Sequence, residues 1–351
     1  MGKKIKYCVG LNGAPGNLET LLAERGNDIH EVYAAAPRSI SPAGRRVEFP
    51  LDLRSLKKQV ALAHAHGVRY NVVMNASCFG GMEFSPSFRR RISDFTAFLD
   101  DIGADTTTIA NPYVIELVRS RSKRIEIVAG SFAEVVEPVK IARLRARGAD
   151  RIVLHQNVYR NFEMLKALRA AADCPLEIIP NQGCLNQCDG FISHVNLVAH
   201  SSTPSDARIK RYGDFNHPIK RCRLVRQTDP VEFLMSCFIR PEDLGIYETL
   251  GFDHFKFAGR NGVSTEWMLN VLDAYISRSY EGNAFDLSSH VGATKKLCRL
   301  PNKALDGWYR YMGSNADSLR FRKKARRFSR LKRLDRYFPR RSAVESPAVR
   351  A

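Results

Sequence analysis

No stretch of this chain approaches the run of about 20 apolar residues that a bilayer-spanning helix requires, and Met1-Gly2-Lys3-Lys4-Ile5-Lys6 lacks the apolar stretch of a secretory signal. The expectation is a cytoplasmic protein. Several catalytic signatures are missing too: Gly-x-Ser-x-Gly, His-Glu-x-x-His and the phosphate-cradling Gly-x4-Gly-Lys-Ser/Thr. Gly10, Gly13 and Gly16 are spaced evenly by three, so no dinucleotide-binding Gly-x-Gly-x-x-Gly follows the first apolar run. The paired C-x2-C spacing common in structural zinc sites is absent as well.

What is present is a 351-residue chain, 44% hydrophobic and 26% charged. That is enough for one large domain with additions. The net charge of +19 is unevenly spread, because residues 318–351 hold 13 Lys and Arg against Asp335 and Glu345. Eight cysteines in a reducing compartment point to free thiols or metal ligands rather than disulfides. Cys8 and Cys174 fall in or beside core segments and read as small buried hydrophobes.

Short apolar or β-branched runs recur at 5–11, 31–35, 70–75, 105–110, 124–129, 151–156, 176–180 and 252–258. Helical patterns lie between most of them, at 17–25, 53–66, 87–102, 112–120, 135–147 and 160–172, with another at 265–279 after the last. Eight strands alternating with helices predict an α/β fold with a (β/α)8 TIM-barrel-like core, the alternative being an open doubly wound sheet. Gly26, Gly67, Gly103, Gly148 and Gly251 each stand between a helical run and a strand, where the left-handed conformation ends helices.

The rhythm breaks over 182–240, between strands seven and eight, which carries no clean periodicity. Such a long connection in a compact domain is usually functional, and in a barrel it opens on the catalytic face. It contains Cys184, Cys188, Cys222 and Cys237, with His194, His200 and His217 among them. The spacing is C-x3-C, then 33 intervening residues, then 14. Phe191 stands where a C-x3-C-x2-C motif would need its third cysteine. Dispersed ligation of an iron–sulfur cluster, a zinc site and a set of free thiols remain open on spacing alone. Asn12, Asn75, Asn111, Gln156, Asn157, Asn181 and Arg260 sit at strand ends, where they either line a common mouth or cap loops. Lys256 and Arg260, at the end of strand eight, either hold an anionic substrate group or form ion pairs with Asp253 or a neighbouring acid.

The organisation read from these patterns is a barrel over 1–285 including the cysteine insertion, a connecting segment over 286–317, and a basic tail over 318–351. Phe321, Ala325, Phe328, Leu331, Leu334 and Phe338 recur at helical spacing among arginines and lysines, predicting a basic amphipathic helix that Pro339 stops. Residues 342–351 are expected to be disordered. The helix has three readings: a membrane surface, nucleic-acid phosphates, or packing on the barrel.

Over roughly residues 5–282 the chain resembles the U32 peptidase family, also called collagenase-like proteases. Gly13-Ala14-Pro15-Gly16-Asn17-Leu18-Glu19 is similar to that family's Ala-Pro-Ala-Gly-Asn-x-Glu opening. Arg240-Pro241-Glu242-Asp243-Leu244, followed by Leu250-Gly251-Phe252-Asp253-His254-Phe255-Lys256-Phe257-Ala258-Gly259-Arg260, resembles its Lys-Asp-Leu and Gly-Val-Asp-Ser-x-Lys-Ile-Glu-Gly-Arg stretches. Gln182-Gly183-Cys184 matches the start of its cysteine region. The resemblance implies a barrel-like core and a [4Fe–4S] cluster held by Cys184, Cys188, Cys222 and Cys237. It also implies oxygen-independent hydroxylation chemistry on ubiquinone precursors or RNA, with prephenate implicated as hydroxyl source. Departures from the family pattern are Gln156-Asn157 in place of Arg-Glu, Ala258 in place of Glu, and respaced later cysteines. The long C-terminal domain of the larger peptidase-like members is lacking.

Three functional expectations follow. The first is an iron–sulfur enzyme of hydroxylation type acting on a polar small molecule, RNA or peptide, with Asn75, Asn111, Gln156, Asn181, Lys256 and Arg260 as substrate-binding candidates. The second is a peptidase. The third is an accessory protein with a structural cluster, which would dock a protein partner of the same family.

Overall fold

A computed structural model describes residues 4–202, 217–260, 262–289, 298–312 and 317–339. Eight parallel strands close into a barrel in sequence order: β1 (Lys6–Gly10), β2 (Ile29–Ala35), β3 (Arg69–Met74), β4 (Thr106–Ile109), β5 (Glu126–Ala129), β6 (Arg151–Val153), β7 (Leu176–Ile178) and β8 (His254–Phe257). β8 pairs with β1, with Lys6 opposite His254 and Cys8 opposite Lys256, so no open edge remains. Each strand overlaps the run that predicted it, with ends within two residues except at β6, which stops three residues short of 156. The open doubly wound sheet is thereby excluded.

The outer ring consists of α1 (Asn17–Arg25), α2 (Leu53–Ala65), α3 (Pro86–Asp101), α4 (Pro112–Arg121), α5 (Pro138–Ala146) and α6 (Phe162–Ala171). Polar side chains start several of them: Asp52 accepts from Ser55 N, Ser85 from Phe88 N and Asn161 from Met164 N, each satisfying an otherwise unpaired amide. Gly67, Gly103, Gly148 and Gly251 take positive φ after their helices, as the sequence predicts. Gly26 differs, at φ −53, because its N–H continues the helical ladder to Leu22 O.

The cysteine segment is more ordered than its sequence suggests. It forms α7 (Phe191–Ser201), α8 (His217–Thr228) and α9 (Pro230–Met235), followed by the short α10 (Leu244–Thr249) before β8. Phe191, Val195, Val198 and Ala199 are the buried face of α7, a helical spacing obscured in the sequence by interleaved His and Asn.

After α11 (Thr265–Ser277) the chain reaches α12 (Ser318–Lys332). Arg333, at φ 50, ends α12 well before Pro339, and a 3-10 turn, Leu334–Tyr337, follows. The apolar side of α12 packs on the body: Phe321 and Phe328 flank Trp308 at ring distances of 5.6 and 5.1 Å. Phe338 reaches Phe285 at 6.1 Å, so the tail shares the core of the barrel. The 342–351 segment lies outside the described residues. Among the described residues, no helix is long and apolar enough to cross a membrane.

Candidate functional site

The barrel interior is built in layers, and the deepest is charged. Arg151 of β6 reaches across to Glu31 of β2 (2.7 Å), Glu126 of β5 (3.0 Å) and Glu177 of β7 (3.3 Å). Asn71 and Thr106 donate to Glu31 at 2.9 and 2.8 Å. Burial pushes the Glu31 carboxyl up, but Arg151 and these hydrogen bonds outweigh it and hold it at about 2. Cys8, predicted as a small apolar filler, is buried in this layer and donates to Glu177 at 3.4 Å. Cys174 is buried as expected. Above the charges lies a thin apolar belt of Val128, Val153 and Ile179, with Ala258 against it.

Over that belt a cavity of ≈ 120 Å³ opens at the carboxyl ends of the strands. Its polar lining includes Arg45, Asn75, Ser131, Gln182, Lys256 and Arg260. Two glycines shape it. A Cβ on Gly44, which has φ +75, would lie 2.4 Å from Asn75 O, so only glycine lets the loop carrying Arg45 settle on the end of β3. A Cβ on Gly130 would lie 1.9 Å from Asn75 Oδ1, so that position must also stay bare.

The cavity is electropositive. Burial depresses the pKa of Arg45, with further repulsion from Arg260, and burial depresses Arg260 itself. Arg260 Nη1 has no hydrogen-bond partner among the described residues and lies near the face of Tyr33. Lys256 Nζ sits 4.3 Å above the Tyr33 ring and 3.6 Å from Glu177. Asp253 bonds His254 at 2.7 Å instead of Lys256. Among the described lining residues there is no carboxylate, imidazole or thiol.

Of the six substrate-binding candidates, Asn75, Lys256 and Arg260 line the cavity. Asn111 caps α4, accepting from Tyr113 N and Val114 N. Asn181 ties β7 to β8 by bonding both the N–H and the carbonyl of Ala258, at 2.8 and 2.9 Å. Gln156 is buried in a 3-10 turn outside the cavity lining, with neither side-chain polar atom bonded among the described residues. Asn12 and Asn157 serve loops, bonding Val263 O and Gln187. Arg45 and Gln182 had no periodic signal to betray them, although Gln182 stands two residues before Cys184.

The cysteine segment folds over the same mouth. Cys184 N donates to Cys237 Sγ at 3.2 Å, and Cys237 N donates to Cys184 O at 3.1 Å, so these two are locked together. A hydrogen bond from the Cys237 thiol lowers the pKa of Cys184, helped by Arg226, Gln182 and Arg45. Gln182 Nε2 donates to Cys184 Sγ at 3.1 Å. Burial raises Cys188 and Cys222, and each is raised further by Cys184. Arg226, one helical turn after Cys222, is buried with Nη1 unpartnered among the described residues. A Cβ on Gly183 would meet that nitrogen at 2.1 Å. His194 is kept neutral by burial, at about 4, and the side chain of His217 lies outside the described residues. His155 is buried, its ring edge-on to Phe191 at 4.6 Å, as a packed polar residue.

Comparison with known proteins fits this geometry. The model of Peptidase family U32 matches residues 16–188, from the start of α1 through Cys188. Over that span the chain is similar to the U32 peptidase family. It is 29% identical over 284 residues to an uncharacterized protease of Methanocaldococcus jannaschii, covering 81% of this chain and 82% of that one. The structure of the U32 peptidase Mk0906 superposes with a TM-score of 0.54 at 18% identity, over 74% of this chain and 95% of that one, a likeness of fold. The family match ends before Cys222 and Cys237, so the second half of the cysteine set lies outside it.

Among the described residues, no three His, Cys, Asp or Glu side chains converge as ligands of one metal ion. The structure brings Cys184 and Cys237 into contact, with Gln182 donating to Cys184 and the buried Arg226 lowering its pKa.

Proposed function

We propose that this U32-like protein is an iron–sulfur enzyme that carries out an oxygen-independent, hydroxylation-type modification of a polar, anionic substrate in the barrel mouth. Cys184, Cys188, Cys222 and Cys237 would hold a [4Fe–4S] cluster, which when bound supplies one-electron chemistry. The observation that supports the reading is the Cys184–Cys237 contact at the end of β7, beside Gln182, which donates to Cys184 and also lines a cavity whose charged lining is cationic. Arg226 and Gln182 supply positive charge and a hydrogen bond to the thiolates, offsetting the cost of burying them. Arg260 and Arg45 attract and orient an anionic group, while Asn75, Ser131 and Gln182 offer neutral hydrogen bonds that set its register. Tyr33, Phe132 and the apolar belt exclude water beneath it.

The peptidase reading, favoured by the names of the relatives, needs a group to activate water. The described lining offers no imidazole or carboxylate for that role. The test is anaerobic purification followed by iron and sulfide analysis. The expected result is about four of each per chain with broad visible absorbance. Colourless, iron-free anaerobic protein that cleaves peptides would overturn the reading.

A further inference from the structure

α12 reads Ser-Leu-Arg-Phe-Arg-Lys-Lys-Ala-Arg-Arg-Phe-Ser-Arg-Leu-Lys, with eight basic residues in 15 and no acid. Such a helix is costly: Lys323 and Arg327, or Arg326 and Arg330, are like charges one turn apart, which oppose helix formation. Arg322 is compensated by Glu232 and Asp229 of the neighbouring α8–α9 region. Arg320, Lys323, Arg326, Arg327 and Arg330 are all exposed, and among the described residues none is paired with an acid. The body thus spends its acids on the flank of the helix and leaves the outward face bare.

We propose that this outward face docks on the phosphate backbone of double-helical nucleic acid. From Arg320 to Arg330 the helix rises about 15 Å and presents five cations, one per roughly 3.8 Å. A duplex carries about one negative charge per 1.7 Å of its axis, so a 15 Å row of five cations has enough phosphates within reach to pair each one. A membrane surface fits less well, because Phe321, Ala325 and Phe328, the larger part of the apolar stripe that would enter lipid, are already buried against the protein, leaving Leu319 and Leu331 exposed at the two ends of the helix. Single-stranded nucleic acid would call for exposed aromatic rings to stack on its bases, and both phenylalanines of this helix are buried. The surface is independent of the cysteine site, and it carries no base-reading side chain other than long cations, so recognition is of backbone rather than sequence.

Fluorescence anisotropy on the full chain, with a labelled RNA stem and a DNA duplex of the same sequence between 50 and 200 mM salt, tests this. Five phosphate contacts give a log–log slope of about −4.5, or roughly 500-fold weaker binding across that range. Binding of either duplex with this slope supports the proposal, the tighter one naming the source. The variant Lys323→Gln/Arg326→Gln/Arg327→Gln/Arg330→Gln removes like-charge repulsion and should fold at least as well, yet its slope should fall to about −1. Arg326→Lys/Arg327→Lys/Arg330→Lys should keep the wild-type slope. An unchanged slope in the glutamine variant, equal competition by the single strand, or binding to anionic vesicles without binding to duplexes would overturn it.

Discussion

Arg151 Nη2 bonds both carboxylate oxygens of Glu31, at 2.9 and 2.7 Å, joining β6 to β2 across the middle of the barrel through side chains that are 1% and 0% exposed. Most barrels of this kind fill that space with branched apolar residues. Here a guanidinium holds three carboxylates, and removing it would strand buried negative charge. Arg151→Met should therefore lower the unfolding free energy by about 3–5 kcal/mol, measured by urea denaturation. Adding Glu31→Gln should restore part of the loss, whereas two additive losses would show that the pair is not coupled.

Acid should loosen the fold before it reaches the carboxylates. Burial lowers the pKa of both His30 and His155 to about 4, whereas unfolded histidine titrates near 6.5. Between those values the unfolded chain binds protons that the folded chain does not, so stability falls as pH drops from 6.5 toward 4. His155 alone contributes at most about 1.4 kcal/mol per pH unit. Thermal unfolding followed from pH 7.5 to 4.5 should show this decline, and His155→Gln should flatten it.

Arg45 and Arg260, the two cations of the mouth with no ion pair among the described residues, set function against stability. Arg260→Gln relieves the repulsion between Arg260 and Arg45. It should raise stability by about 0.5–2 kcal/mol, a gain of the kind seen when functional charges are removed. Sulfate should raise the melting temperature of the wild type and leave that of this variant unchanged. A fall in stability without sulfate would mean that Arg260 is a structural residue.

The tail is not a dispensable appendage to the fold. Phe328 is 1% exposed between Trp308 and Tyr311, so Phe328→Ala should cost about 3–5 kcal/mol. Arg330→Gln, on the exposed face of the same helix, should change stability by less than about 0.5 kcal/mol. Equal effects at the two positions would contradict the packing.

Iron content should separate the cysteines into two sets. Cys184→Ala, Cys188→Ala, Cys222→Ala and Cys237→Ala should each lose or labilise the cluster, while Cys8→Ala and Cys174→Ala keep it. Full loading of the Cys222→Ala protein would exclude that residue as a ligand.

The alternation of apolar runs and helices was legible because strand and helix periodicities are local properties of the chain, and eight repeats leave few topologies. The four cysteines were legible by type and by their place between β7 and β8. Other features depend on tertiary structure. Asn111 and Asn181 look like mouth residues in sequence, yet local backbone amides and the neighbouring strand claim their side chains, while Asn75 stays turned to the cavity because Gly130 leaves it room. Arg45 and Arg226 reach the site from a loop and a helix with no distinguishing pattern, and the Glu31–Arg151 layer joins residues 120 positions apart. Local propensity and spacing determined which elements form and which segment carries the four cysteines. Closure of the barrel decided which charges meet inside it, since only closure brings opposite strands within reach of a side chain.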